Sequence, residues 1–251
     1  MRVKIALRNL VISQIIILLF LVFAYFKWFP HSFSSLGGFS QTALMLIFVD
    51  LILGPLLVYI VFKEGKKYLR FDINVLLSIQ IVAFVFGAYS LFLKHPAYAV
   101  FTGDRFTLTN VSAIYPPQPL SEQLKRYFFS APKWVIAKIP EDSVKRNALL
   151  FDVLLKGAPD IDTRPEYFEP FDNHLDEIVT KALDSDQLFL ASSAQYQLKK
   201  FINQHGGKVD DYVFFPLKGN NQKDVIWAFN RSSALPIGII DSDPWVDLAH
   251  R

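Results

Sequence analysis

Along residues 1–93, apolar positions come in long unbroken runs rather than in the alternating or 3.6-residue stripes of a soluble fold. Three runs stand out, about 10–29, 43–62 and 73–93. Each approaches the ~20 residues with which a helix crosses ~30 Å of hydrocarbon. After residue 94 the elements shorten. Residues 98–110, broken at Gly103-Asp104, read as a hairpin, and IYPPQPL as a proline-rich linker. A short helix is expected over 121–129 and a strand over 133–139, where KWVIAKI alternates. Pro140, an acidic first turn and Gly157 as a stop predict a helix between them. Residues 157–173 hold three prolines and no apolar period, so they are expected to be a loop. Two helices (174–183 and 187–204) and three strands (212–217, 225–230 and 237–241) complete the pattern. The fold class expected is three transmembrane helices, then a soluble α+β domain over 94–251 with a C-terminal antiparallel meander.

Charge orients this arrangement. Residues 1–93 hold three acids and eight bases, whereas 94–251 hold twenty acids and eighteen bases. Such asymmetry indicates two environments, not one globule. The pI of 8.9 and mean hydropathy of +0.27 report basic membrane flanks, not a nucleic-acid surface. Arg2, Lys4 and Arg8 precede the first run; Lys63, Lys66, Lys67 and Arg70 separate the second from the third. The stretch 30–42 carries no charge. Positive-inside bias places the N-terminus and the 63–72 loop in the cytoplasm, so three crossings deliver 94–251 to the far side, the periplasm of a bacterium. The first run exceeds the ~7–15 apolar residues of a signal peptide and lacks a small-residue cleavage pattern, which makes it an anchor.

Asp50 interrupts the second run in FVDLILGPLL. A carboxylate at that depth costs at least ~2.5–3.5 kcal/mol, so it must face protein and find a partner. Gln14, Ser78 and Gln80 are internal candidates; a helix of another protein is the alternative, and ion or proton transport a third. Gly54 permits close helix approach, and Pro55 removes a backbone hydrogen bond and predicts a kink.

Candidate chemistry is sparse. Without cysteine there are no disulfides and no thiolate sites. Asp160-Ile-Asp162-Thr163 has the form of a phosphatase nucleophile motif, but that chemistry needs the first Asp at the end of a buried strand, and KGAP precedes it. The five histidines are scattered without metal-ligand spacing, and no phosphate-cradling glycine loop occurs. No catalytic, cofactor or metal residue is assigned, and no cofactor is expected. Tyr167, Phe168 and Phe171, in the proline-stiffened loop, either dock on their own core or meet a partner. Trp245, in DSDPW, is expected to pack the base of the domain.

Taken together, the basic N-terminus, VDLILGPLL (Val49–Leu57), the basic loop after it, VFTGDRF (Val100–Phe106), RPEYFEPF (Arg164–Phe171) and the terminal PIGIIDSDPW resemble the type IV pilin accessory proteins of the TfpX/TfpZ kind, related to FimB. The chain departs from that pattern at Thr102-Gly103. The resemblance implies a non-enzymatic bacterial inner-membrane protein that acts beside a particular major pilin and modulates pilus assembly, retraction and display. Its partners would be that pilin, inner-membrane pilus assembly components and the lipid bilayer. Asp50, Gly54 and Pro55 would then grip the pilin's helix, and Tyr167, Phe168 and Phe171 its head.

Overall fold

A computed structural model describes residues 2–30, 33–61, 69–115, 124, 131–190, 192–219 and 223–245. The chain divides into two compact units, Met1–His95 and Pro96–Arg251. The helix expected over 121–129 lies, apart from Leu124, outside the described residues.

The first unit is helical: α1 (Arg2–Lys27), α2 (Phe33–Leu36), α3 (Phe39–Val61) and α4 (Leu69–Lys94). Two stretches, Leu10–Lys27 and Phe71–Lys94, are long and apolar enough to cross a membrane. The described apolar portion of α3, Phe39–Ile52, is shorter than a full crossing. α3 runs as helix through Gly54 and Pro55 to Val61. Most large side chains on α1 and α4 point outward: Leu18, Leu19, Val82 and Phe86 are all exposed. A small interior remains, formed by Ile17, Leu21, Ala24, Trp28, Phe29, Ala43, Leu46 and Leu91. Gly87 sets the spacing of α3 and α4, because a Cβ there would stand 2.8 Å from Leu46 Cδ1. The SLGG turn is packed rather than loose: Leu36 is buried, and a Cβ on Gly37 would meet the Phe29 ring at 2.9 Å. At the same end His95, fully buried, stacks on Trp28 with ring centroids 5.3 Å apart.

The second unit is built on one seven-stranded mixed sheet. Its strands are β1 (Pro96–Phe101), β2 (Phe106–Asn110), β3 (Lys133–Ala137), β4 (Phe168–Pro170), β5 (Tyr212–Lys218), β6 (Asp224–Asn230) and β7 (Pro236–Ile240), in the order β4-β3-β1-β2-β5-β6-β7. The hairpin and the meander fall where they were expected, with Phe101 opposite Phe106 and Phe215 opposite Trp227. Two parallel joins fuse them into one sheet: β1 with β3, and β2 with β5 over Phe106–Leu217 and Thr107–Lys218.

The 157–173 stretch is not a plain loop. Two 3₁₀ turns, Ile161–Thr163 and Pro165–Tyr167, lead into β4 at the sheet edge. Pro165 occupies the first turn position, where no amide is needed, and Pro170 ends an edge strand, where its missing N–H costs no ladder bond. The two helices expected after it are three: α6 (Leu175–Val179), α7 (Ser185–Leu190) and α8 (Ser192–His205). Leu183, between the first two, bonds instead to Phe214 through a backbone bridge.

α5 (Ser143–Lys156) forms where its caps dictate. The Asp142 carboxylate accepts the amides of Val144 and Lys145, and Gly157 closes the helix with φ 65°. It packs on one face of the sheet through Leu149, against Tyr98, Val100, Val135 and Phe168. α8 covers the same face farther along through Leu198 and Phe201, against Phe214, Ile226 and Ala228. The opposite face is aromatic. Phe106 there contacts Phe101, Phe171, Phe215, Trp227 and Phe229. Trp134 on β3 and Trp227 on β6 approach to 6.2 Å between ring centroids. A flat sheet would hold those strands four spacings apart, roughly 19 Å. The sheet therefore curls strongly round its aromatic face.

Candidate functional site

Asp50 is the acid that the apolar pattern left needing an explanation, and α1 supplies it. Ser13 Oγ donates to Asp50 Oδ2 at 2.6 Å and Gln14 Nε2 donates to the same oxygen at 2.9 Å. Gln14 was among the internal partners expected; Ser13 was not. Ser78, also a candidate, instead donates to the Asn74 carbonyl on its own helix. The Leu10 carbonyl, 3.0 Å from the Ser13 hydroxyl, is the alternative acceptor for its single proton. A hydroxyl beside a glutamine in an otherwise apolar run was the signal that could have named it.

The carboxylate also lines a cleft of about 240 Å³, walled by α3 and α4. Thr42, Gln80 and Ser90 line it together with the apolar Met45, Phe84 and Phe86. Lys94 Nζ reaches Thr42 Oγ1 at 3.3 Å. The arrangement is a polar spot at the wall of an apolar cleft. It suits recognition of an apolar segment that carries a hydrogen-bond donor.

The structure does not bring Tyr167, Phe168 and Phe171 to one exposed surface. Phe168 and Phe171 are 5% and 4% exposed, on opposite faces of the sheet. The first packs beside Tyr98, and the second among Phe106, Trp134 and Phe229. Their own rings consequently offer almost no area to a partner. Tyr167 is only partly buried, with the Arg164 guanidinium 5.1 Å from its ring centre. Arg164 Nε donates to Glu166 at 2.8 Å. The segment is an edge whose more exposed residues are Glu166 and Tyr167, while the Arg164 side chain is only 11% exposed.

Two distant segments of the chain converge elsewhere in the domain. Arg105 holds Asp104 through two hydrogen bonds, 3.0 and 2.7 Å, and lies 4.8 Å from the Trp245 ring centre. Trp245 Nε1 donates to Asp224 Oδ2 at 2.8 Å. Gly103, with φ 101°, lets the β1–β2 turn close. The Thr102-Gly103 departure thus makes a tight turn that presents Arg105 to Trp245.

The Asp160–Thr163 segment has none of the geometry of a nucleophile. Asp160 Oδ1 accepts the Ile161 amide and caps a 3₁₀ turn, and no strand ends there. Asp162 is half-buried; burial pushes its carboxyl above the usual range, Asp160 adds to that and Lys218 opposes it. Among the described residues no group of three or more His, Asp or Glu could hold a metal ion.

Two fimbrial assembly proteins of Dichelobacter nodosus align with most of this chain. That of serogroup I is 23% identical over 212 residues, covering 80% of this chain and 79% of its own. That of serogroup E1 is 22% identical over 233 residues, 88% of each. The chain is a distant homologue of these fimbrial assembly proteins. A third, of serogroups C1 and C2, is 28% identical over 82 residues, 32% of this chain and 63% of its own. No family model and no solved structure matches the chain. The two longer alignments exceed either compact unit, so the kinship with the fimbrial assembly proteins rests on both and not on shared apolar composition alone.

Proposed function

We propose that this protein is a non-enzymatic accessory factor of type IV pilus biogenesis in a bacterial inner membrane, acting beside a major pilin to modulate assembly, retraction and display. The observation that carries the proposal is homology to fimbrial assembly proteins over both units. The composition supports the rest. Three apolar helices with cytoplasmic bases would hold the first unit in lipid, with the second in the periplasm. A pilin waiting in the same membrane could then be met in both places.

In the bilayer, Asp50 is the point of contact. Among the described residues its donors on α1 both reach Oδ2, and a client helix seated in the α3–α4 cleft would add a further donor to the same carboxylate. Gly54 and Pro55 lie one turn further along α3, where they shape the approach. In the domain, the Arg164–Phe171 edge meets the client's head through Tyr167, with Phe168 and Phe171 as its buried anchors.

Deleting the gene and counting surface pili, with and without the retraction machinery, tests this reading. Lost pili that return when retraction is also disabled are expected of a factor that favours assembly. Unchanged pili in both backgrounds would reject the role.

A further inference from the structure

α5 is apolar on two opposite faces, and the fold uses only one. Leu149 is buried and Val153 packs beside it against the sheet. On the other side Val144, Phe151 and Leu155 are 75%, 59% and 74% exposed, with Ala148 exposed beside them and Leu154 and Leu150, also exposed, flanking that arc on one side. At about 100° per residue, Val144, Ala148, Phe151 and Leu155 fall within roughly 60° of arc, opposite Leu149 and Val153. Their 4-3-4 spacing is a two-helix seam with Val144 and Phe151 at the d positions and Ala148 and Leu155 at the a positions. Nothing in an α+β fold requires that second seam.

We propose that this face binds a second copy of itself, α5 against α5 in antiparallel register about a twofold axis. The seam is complementary to itself in volume only that way round. Antiparallel pairing sets Ala148 against Phe151 and Val144 against Leu155, small beside large in each layer. Parallel pairing would set Ala148 on Ala148 and Phe151 on Phe151, leaving a void next to a crowded layer. Charge agrees. Lys145 and Asp152 occupy the flanking e positions, which face each other in an antiparallel pair, so the twofold axis makes the Lys145–Asp152 contact twice. Within one chain Asp152 is held by Lys156 at 2.7 Å, an exposed i,i+4 pair that is readily exchanged. Parallel pairing would set Asp152 beside Asn147 and leave Lys145 unmatched.

A single 14-residue helix pair buries less than the ~1,200 Å² of a stable interface. The dimer is therefore weak in dilute solution and depends on confinement of both copies at one surface. The absence of native cysteine makes the test direct. Two differently tagged full-length chains, Val144→Cys and Leu155→Cys, are co-expressed, and membranes are treated with a short bifunctional thiol crosslinker. Val144→Cys is expected to join Leu155→Cys, and not a second Val144→Cys, whose partner would lie about 16 Å away along the axis. Adding Lys145→Glu to both chains should lower the yield about threefold, and adding Asp152→Lys as well should restore it. No crosslink between the two tagged chains, a Val144→Cys homodimer in their place, or exclusive linkage to a different protein would each overturn the proposal. All the replaced side chains are outside the core, so retained near-ultraviolet circular dichroism confirms that the variants are folded.

Discussion

The two units solve opposite packing problems with similar side chains. In the first, Phe, Leu and Ile face outward, and the polar atoms of Ser13, Gln14 and Asp50 are gathered inside. In the second, seven rings are gathered between the strands of a curled sheet, and the charged groups stand at its edges and turns. Phenylalanine thus faces outward at Phe26, Phe48 and Phe86 in the first unit and builds the core at Phe101, Phe106 and Phe215 in the second. What distinguishes the halves is where polar groups find partners. A carboxylate exposed to water needs none, as at Asp142, which merely caps a helix; one among apolar helices is stabilised by two donors on a neighbouring span.

The contrast breaks most severely at Phe106, whose ring touches five others and is fully buried. Phe106→Ala is expected to cost the domain about 3–5 kcal/mol. Chemical denaturation followed by the near-ultraviolet signal should show that loss, while the far-ultraviolet signal of α1, α3 and α4 persists. Next in size is Asp50. Replacement by Leu leaves Ser13 and Gln14 facing an apolar side chain and should cost about 1–2 kcal/mol, whereas Asp50→Asn, which still accepts, should cost less than half of that. Unfolding of the protein in mixed micelles measures both. Equal losses for Leu and Asn would mean that the carboxylate's charge, not its acceptor, is what α1 recognises.

The smallest effect sharpens the comparison from the watery side. Asp162 has a raised folded-state value because burial disfavours its charge. The native state then binds the proton more tightly than the unfolded chain, so this contribution to stability is present at low pH and is lost as pH rises through the folded value. Asp162→Asn should therefore raise the melting temperature at neutral pH. Below the ordinary Asp value of about 3.9 it should change little. A drop at neutral pH would mean that Lys218 and the backbone amide outweigh the cost of burying the charge.

Much of this was written in local pattern. Short apolar runs set between turn residues located the 98–110 hairpin and the terminal meander because each pairs neighbours in sequence, and Pro140, an acidic first turn and Gly157 marked α5. The parallel joins were hidden, since β1–β3 and β2–β5 bring together segments far apart in the chain and leave no periodic trace. β4 was hidden by its prolines, which look like loop residues but are tolerated on a sheet edge. The site was legible in part. Asp50 announced itself by its cost in an apolar run, and Gln14 by being one of few donors at that depth. For Phe168 and Phe171 the sequence left open docking on their own core or meeting a partner, and both rings are buried in the core, because their exposure depends on a strand, β4, that their own sequence disguises. Gly87 and Ser13 passed unnoticed, being small residues whose role appears only when helices are placed side by side.

The central claim is that the two units sit in different solvents, the first in lipid and the second beyond it. Lys181, exposed on the domain, can carry a single cysteine in this cysteine-free chain, and Lys66 a second, separate one as control. In intact spheroplasts a membrane-impermeant maleimide is expected to label Lys181→Cys at once and Lys66→Cys only after lysis. Labelling of Lys181→Cys that waits for lysis would contradict the account.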